Sequence, residues 1–296
     1  MKPLIVIASV LLCGAEEKAE PNAEPRVFFQ AHRGALREAP ENTLLAFRHA
    51  WAQRGAVPEM DVRTTQDGHF ICLHDETLAR TTDAPDPIRT IPVSQLPLPE
   101  IRKWNAAARF EDEAPPKQVP LLREVFELMT ENPDRRIYLD LKDADLDALA
   151  GLLKEFGVTQ RVLFVHGDQA RCKEIQSRFP GAITMTWCSG RPEEISRRFE
   201  ELADTDFEGL SQVQFHLRTA RQRPAIEYQI SDEYIACAVR VTRAAGVELQ
   251  LRPFAFDAES LRRLIALGVR WFVADEPEAF AKALAEAQHS EKTPIE

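Results

Sequence analysis

Eight short apolar runs recur along the chain, at 27–31, 57–62, 136–141, 162–165, 183–187, 209–215, 247–251 and 271–274. They are too short for stable helices and rich in β-branched and aromatic residues, which predicts strands. Most are followed by a stretch whose apolar residues recur three and four apart, the spacing of one helix face. Leu44, Phe47 and Trp51 share such a face, with Asn42 or Thr43 as the cap and Gly55 as the stop. Leu146, Leu149, Leu153 and Phe156 share another, closed by Gly157. Strands that alternate with helices pair in parallel, because each helix carries the chain back to the start of the next strand. Eight such units predict an α/β chain folded as a (β/α)8 TIM barrel. The alternative is an open doubly wound sheet. No G-x-G-x-x-G follows the first strand, so the usual nucleotide-binding reason for that sheet is missing.

One stretch breaks the alternation. Residues 63–74 read as a hairpin turning at Asp67-Gly68. Residues 76–119 then carry Pro85, Pro87, Pro92, Pro97, Pro99, Pro115 and Pro116, with short apolar pieces and no long helix. This predicts a small insertion after the second strand that folds over one end of the barrel. The ends of the chain differ from its middle. Residues 1–15 hold one lysine, an apolar run from Pro3 to Leu12 and then small residues, the pattern of a secretory signal too short to span a bilayer. Leu11-Leu12-Cys13-Gly14 also resembles a lipobox, in which case Cys13 carries lipid and tethers the protein to a membrane. An apolar first strand is the third reading. Residues 16–25 read as a flexible acidic tether, 26–288 as the barrel domain and 289–296 as a polar tail. The expected location is periplasmic or extracellular.

Composition narrows function. A net charge of -10 argues against a sequence-independent nucleic-acid binder, which neutralises phosphates with Lys and Arg. No C-x-x-C pair exists among the five cysteines, which argues against a structural zinc cluster. Cys72 and Cys188 lie in apolar runs and are expected as buried thiols.

In a (β/α)8 barrel the reactive groups sit at the C-terminal ends of the strands. His32 and Arg33 end the first strand. Glu59 and Asp61, two apart and hence on one face, lie near the end of the second. His74-Asp75 ends the hairpin, Asp140 and Lys142 end the next barrel strand, and Asp275-Glu276 end the last. Glu59, Asp61 and Asp140 offer hard oxygen ligands for one Ca2+ or Mg2+ ion. Arg33 can fork onto phosphate oxygens and Lys142 can add a point charge. His32 and His74 can divide the proton transfers, one as base and one as acid. Taken singly, His74 also reads as a core histidine bonded to Asp75, and Asp140 as an ion-pair partner of Lys142. His49, His69, His166, His216 and His289 lack such company and are read as structural.

These residues carry a resemblance. AHRG at 31–34, PENT at 40–43, EMDVRTTQDG at 59–68 and HDETLARTT at 74–82 resemble the glycerophosphodiester phosphodiesterase family, in order and in spacing. The match extends more loosely through YLDLK at 138–142 and LGVRWFVADEPE at 267–278. The resemblance implies a TIM barrel, a divalent metal on Glu59, Asp61 and Asp140, and an acid–base pair of His32 and His74. It implies phosphate contacts from Arg33 and Lys142, and places Glu41 and Asn42 on the same rim as substrate-binding residues. The implied reaction is hydrolysis of a small phosphodiester to sn-glycerol 3-phosphate and an alcohol. Two departures stand out. The third metal carboxylate is usually Glu in this family and is Asp140 here. The late strand usually carries a Trp-Thr-like pair and here reads Leu249-Gln250-Leu251-Arg252-Pro253-Phe254. Arg252 reads equally as a contact for an extra negative group or as a surface residue. Two alternatives remain open: a phospholipase D-like enzyme acting on lysophospholipids, with an apolar groove at the insertion, and a catalytically inactive phosphate- or glycan-binding barrel.

Overall fold

A computed structural model describes residues 27–110 and 117–289. The signal or lipobox segment, Cys13, the tether and the polar tail from 290 on lie outside the described residues. In chain order the strands are β1 (Phe28–Ala31), β2 (Ala56–Thr64), β3 (Phe70–Cys72), β4 (Ile137–Leu141), β5 (Val162–Val165) and β6 (Ile183–Cys188). They continue with β7 (Gln212–Leu217), β8 (Thr219–Arg221), β9 (Glu227–Tyr228), β10 (Glu248–Pro253) and β11 (Trp271–Ala274). The helices are α1 (Leu44–Trp51), α2 (Leu98–Ile101), α3 (Leu122–Thr130), α4 (Leu146–Phe156), α5 (Gln169–Arg178), α6 (Pro192–Asp204), α7 (Asp232–Ala244), α8 (Ala258–Ala266) and α9 (Pro277–His289).

Eight strands pair in parallel in the order β1-β11-β10-β7-β6-β5-β4-β2, and the pairing of β1 with β2 closes the circle. This is the expected (β/α)8 barrel. β3 extends β2 as an antiparallel hairpin whose turn holds Gly68 at φ +81°. The helix caps follow local chemistry: the side chains of Thr43, Asp145, Asp168, Ser231 and Asp257 each accept a backbone N–H of the first turn. Among its described residues the insertion holds the one-turn α2 and two 3₁₀ turns, at Ile88–Thr90 and Val93–Gln95. It closes over its own small core of Ile71, Leu78, Val93, Leu96, Ile101 and Val119.

Two strands sit further along the chain than the apolar runs suggested. β7 covers Gln212–Leu217 rather than 209–215, and β10 covers Glu248–Pro253 rather than 247–251. Gly209 belongs to the preceding turn: its φ is +78°, and a Cβ there would lie 2.9 Å from the Lys173 Cα. The strands therefore run on to include His216 and Arg252 at the barrel's C-terminal rim.

The seam where the barrel closes is aromatic. Phe29 of β1 is fully buried and packs against Phe280 of α9, with ring centroids 4.8 Å apart and the planes tilted by 46°. Burying one such side chain contributes ~1.5–3 kcal/mol. The Arg37–Glu276 pair, which links the residues after β1 and β11, is half exposed and contributes under ~1 kcal/mol. Packing, rather than charge, holds the closure.

Candidate active site

Along each barrel strand, alternate residues face the interior. The lower interior is apolar, built from Val57, Tyr138, Leu163, Val165, Met185 and Trp271. Above it the same rows turn polar. Tyr138 donates its hydroxyl to Gln212 at 2.8 Å, and Gln214 donates to Gln250 at 2.7 Å. One step higher on the same rows come His32, Asp61, Asp140, His216, Arg252 and Asp275. Each side chain is thus delivered by the period of two that ends its own strand.

Glu59, Asp61 and Asp140 come together: one oxygen from each lies within 4.8 Å of the others. Glu59 and Asp61 are buried, and parallel pairing of β2 with β4 sets Asp61 beside Asp140. Glu59 accepts the backbone N–H of Arg33 at 2.7 Å. Lys142 Nζ stands between two of the acids, 2.6 Å from Asp140 and 3.0 Å from Asp61. Burial, and then the charges of Asp61 and Asp140, push Glu59 well above the usual carboxylate range. Burial likewise raises Asp140 against the opposing pull of Lys142. Burial works to raise Asp61 too, but Lys142 and Arg33 outweigh it and hold it low. Three crowded oxygen donors, two of them strained towards their protonated forms, fit a hard divalent cation. The shorter Asp140 still reaches the cluster.

Asn42 is buried and clamps Asp61 from both ends of its amide. Nδ2 donates to Asp61 Oδ2 at 2.8 Å, and Oδ1 accepts the Asp61 N–H at 3.0 Å. Asn42 and Arg33 both adopt left-handed backbone, at φ +55° and +51°, a conformation that non-glycine residues rarely adopt and that clusters at functional sites. Asn42, expected among the substrate-binding residues, fixes a carboxylate of the cluster. Arg33 donates to Glu41 at 3.0 Å, while its buried Nε makes no hydrogen bond and lies 3.6 Å from Asp61 Oδ2. Glu41 is gripped by Arg80 as well, through both of its oxygens.

The two histidines have parallel surroundings. His32 Nδ1 lies 2.9 Å from Asp275, and His74 Nδ1 lies 2.7 Å from Asp75. Each aspartate is held by an arginine: Asp275 by Arg252 at 2.8 Å, Asp75 by Arg80 at 2.7 Å. Asp75 is lowered to about 2; burial works against this, and the hydrogen bonds from Arg80 and His74 prevail. Burial lowers His32, and Asp275 only partly offsets it. The His74 ring is no core residue: its side chain is 37% exposed.

A cavity of about 530 Å³ opens beside the rim, between the loop after β1 and the insertion. Leu36, Ala106 and Phe110 line it together with Arg37, Arg80 and Arg109. It lies where the lysophospholipid reading requires an apolar groove, but its wall is strongly charged.

Two residues at this rim were given no firm site role by the sequence: Arg252, read equally as an anion contact or a surface residue, and His216, read as structural. Arg252 is 14% exposed and bonded to Asp275, so it is no surface residue. His216 donates Nε2–H to the side-chain Oε1 of Gln214 at 2.9 Å and interacts electrostatically with Arg252 and His32. The rule that selected the other rim residues, a polar side chain at a strand's end, would have found both with the correct strand bounds. His49 stands apart, bonded to Glu38, whose carboxylate accepts the N–H groups of Glu278 and Ala279 at the start of α9.

The family model described as the glycerophosphoryl diester phosphodiesterase family matches residues 32–279. A glycerophosphodiester phosphodiesterase of Bacillus altitudinis is 27% identical over 263 residues, covering 85% of this chain and 96% of that protein. Glycerophosphodiester phosphodiesterase 1 of Bos taurus is 38% identical over 134 residues, 44% of this chain and 38% of that protein. The crystal structure of a glycerophosphodiester phosphodiesterase from Agrobacterium tumefaciens shares 26% identity at a TM-score of 0.64, over 86% of this chain and 99% of that one. An Oleispira antarctica phosphodiesterase, solved in complex with its product sn-glycerol-3-phosphate, has the same fold. Its TM-score is 0.64 at 22% identity, over 89% of this chain and 97% of that one.

Proposed function

Because the chain belongs to the glycerophosphoryl diester phosphodiesterase family, we propose that it hydrolyses glycerophosphodiesters to sn-glycerol 3-phosphate and an alcohol. The observation that carries this reading is the pair of Asp-held histidines just past the ends of β1 and β3, the strands that flank the carboxylates of β2. Ester hydrolysis requires one oxygen to lose a proton and another to gain one. With Nδ1–H donated to its aspartate, an imidazole presents Nε2 to substrate as the working atom. His32, lowered by burial, is suited to accept the proton of the attacking oxygen, and His74 to hand one to the departing alcohol. Arg33 and Lys142 offer donors for the non-bridging phosphate oxygens. Glu41 keeps Arg33 in place, and Asn42 keeps Asp61. Glu59, Asp61 and Asp140 would hold Ca2+ or Mg2+, which when bound neutralises phosphate charge and activates oxygen.

The arginines around the cavity favour a polar alcohol over an acyl chain, which speaks against the lysophospholipid reading. Intact Asp–His pairs on both sides speak against an inactive barrel. The test incubates purified protein with glycerophosphocholine and Mg2+ or Ca2+, then with a chelator, and measures glycerol 3-phosphate. Product that appears with metal and disappears with chelator is expected. No product with either metal from folded protein would sink the reading.

A further inference from the structure

Arg252, next to last in β10, lies directly across from His216 of β7 in the parallel register. Its guanidinium lies over the Phe254 ring, 5.2 Å from the centroid, so packing restricts where it can point. Its Nη2 is 2.8 Å from Asp275 Oδ1 and 2.9 Å from His32 Nδ1, and those two atoms are 2.9 Å from each other. The three atoms make a nearly equilateral triangle. A guanidinium nitrogen only donates, and a carboxylate oxygen only accepts. Nδ1 is therefore asked for a lone pair by Arg252 and for a proton by Asp275. The neutral ring can satisfy either neighbour. In the tautomer that donates Nδ1–H to Asp275, a proton taken at Nε2 sets two cations 2.9 Å apart on one carboxylate oxygen.

We propose that Arg252 is a positioning residue for His32: it competes with the ring for Asp275, disfavours the imidazolium, and thereby sets the acid limit of the reaction. This rests on the reading of His32 as a proton carrier. The other groups facing His32 do not undo the effect. Arg33, next in the chain, adds a second cation. His216 is held down to about 3, by burial first and then by Arg252. Arg37 and Glu276 share the crevice with Arg252 and Asp275 and pair with each other. The surroundings of His74 differ, because the hydrogen bonds of Arg80 go to Asp75 and Glu41.

The test compares the full-length wild type with Arg252→Gln and Arg252→Lys. Where the glutamine variant does not fold, Arg252→Met keeps the stem over Phe254. For kcat/KM on glycerophosphocholine against pH, with saturating Mg2+, the acid limb is expected to move up by about one unit in Arg252→Gln, the scale of one like charge at contact. Most of the shift should be absent in Arg252→Lys. A purely structural role would lower activity evenly at every pH. The second readout needs no turnover: the His32 ring is titrated by NMR in histidine-labelled protein, assigned with His32→Gln. Its midpoint should rise by a similar amount in Arg252→Gln. If the wild type hydrolyses nothing, the proposed function fails while the ring titration still decides the role of Arg252. An unmoved His32 midpoint in a folded neutral variant overturns the proposal.

Discussion

The metal reading of Glu59, Asp61 and Asp140 can be tested without any substrate. Asp140→Ala removes the one ligand that β2 does not supply. Without metal the change should matter little, because two effects oppose. Lys142 loses its 2.6 Å partner but keeps Asp61 at 3.0 Å, and the cluster loses one of three crowded negative charges. With metal the two proteins should part. A cation at a hundred times its dissociation constant stabilises the folded state by about 2.7 kcal/mol. For a chain of this size that raises Tm by roughly 5–10 °C. If losing a ligand weakens binding about a hundredfold, the same concentration stabilises the variant by only about 0.4 kcal/mol, or roughly 1–2 °C. The assay is thermal unfolding followed by circular dichroism, in EDTA and then in excess Mg2+ or Ca2+. Equal metal-induced shifts in wild type and Asp140→Ala would refute Asp140 as a ligand. No shift in the wild type with either ion would refute the site.

Three further outcomes are expected. His74→Ala should lower kcat at least about a hundredfold, the usual scale of acid–base catalysis, with circular dichroism unchanged; a loss below tenfold contradicts its role. Gly34→Ala should destabilise the fold by more than about 1 kcal/mol in urea unfolding, because Gly34 has φ +85° and a new Cβ would lie 2.7 Å from the Ala46 Cβ. Folded His216 is held down to about 3 by burial and then by Arg252, whereas its unfolded value is near 6.5. A depressed value means the folded state resists the proton that the unfolded chain accepts. Stability from this group is full above pH 6.5 and is lost as pH falls towards 3. His216→Gln should flatten that part of the stability profile by on the order of 2–4 kcal/mol, allowing for partial exposure; an unchanged slope counts against it.

The barrel was legible because eight apolar runs alternate with amphipathic stretches, a pattern few other topologies satisfy. Glu59 and Asp61 were legible from their spacing of two, and His32 and Asp140 from their place at strand ends. The arginine partners were not. Asp275 was visible as a polar strand end, but its bond to His32 spans 243 residues and no local signal announces it. Arg252 and His216 were obscured because apolar runs mark where a strand is buried rather than where it stops. Their strands continue through a polar interior where hydrophobicity fades. The clamp of Asn42 on Asp61 depends on a left-handed backbone angle, which no residue pattern around it encodes.

The two Asp-held histidines also differ in how they come to exist. The His74 side is local: Asp75 is its neighbour and Arg80 lies five residues beyond Asp75. The His32 side joins β1 to β10 and β11, across 220 and 243 residues. Contacts of such separation form late, since the chain must close its longest loop before they return any energy. A nascent chain lacking β10 and β11 holds the residues of only one histidine half. The active site is therefore incomplete until the barrel closes on itself, and the appearance of turnover during refolding would report that final closure.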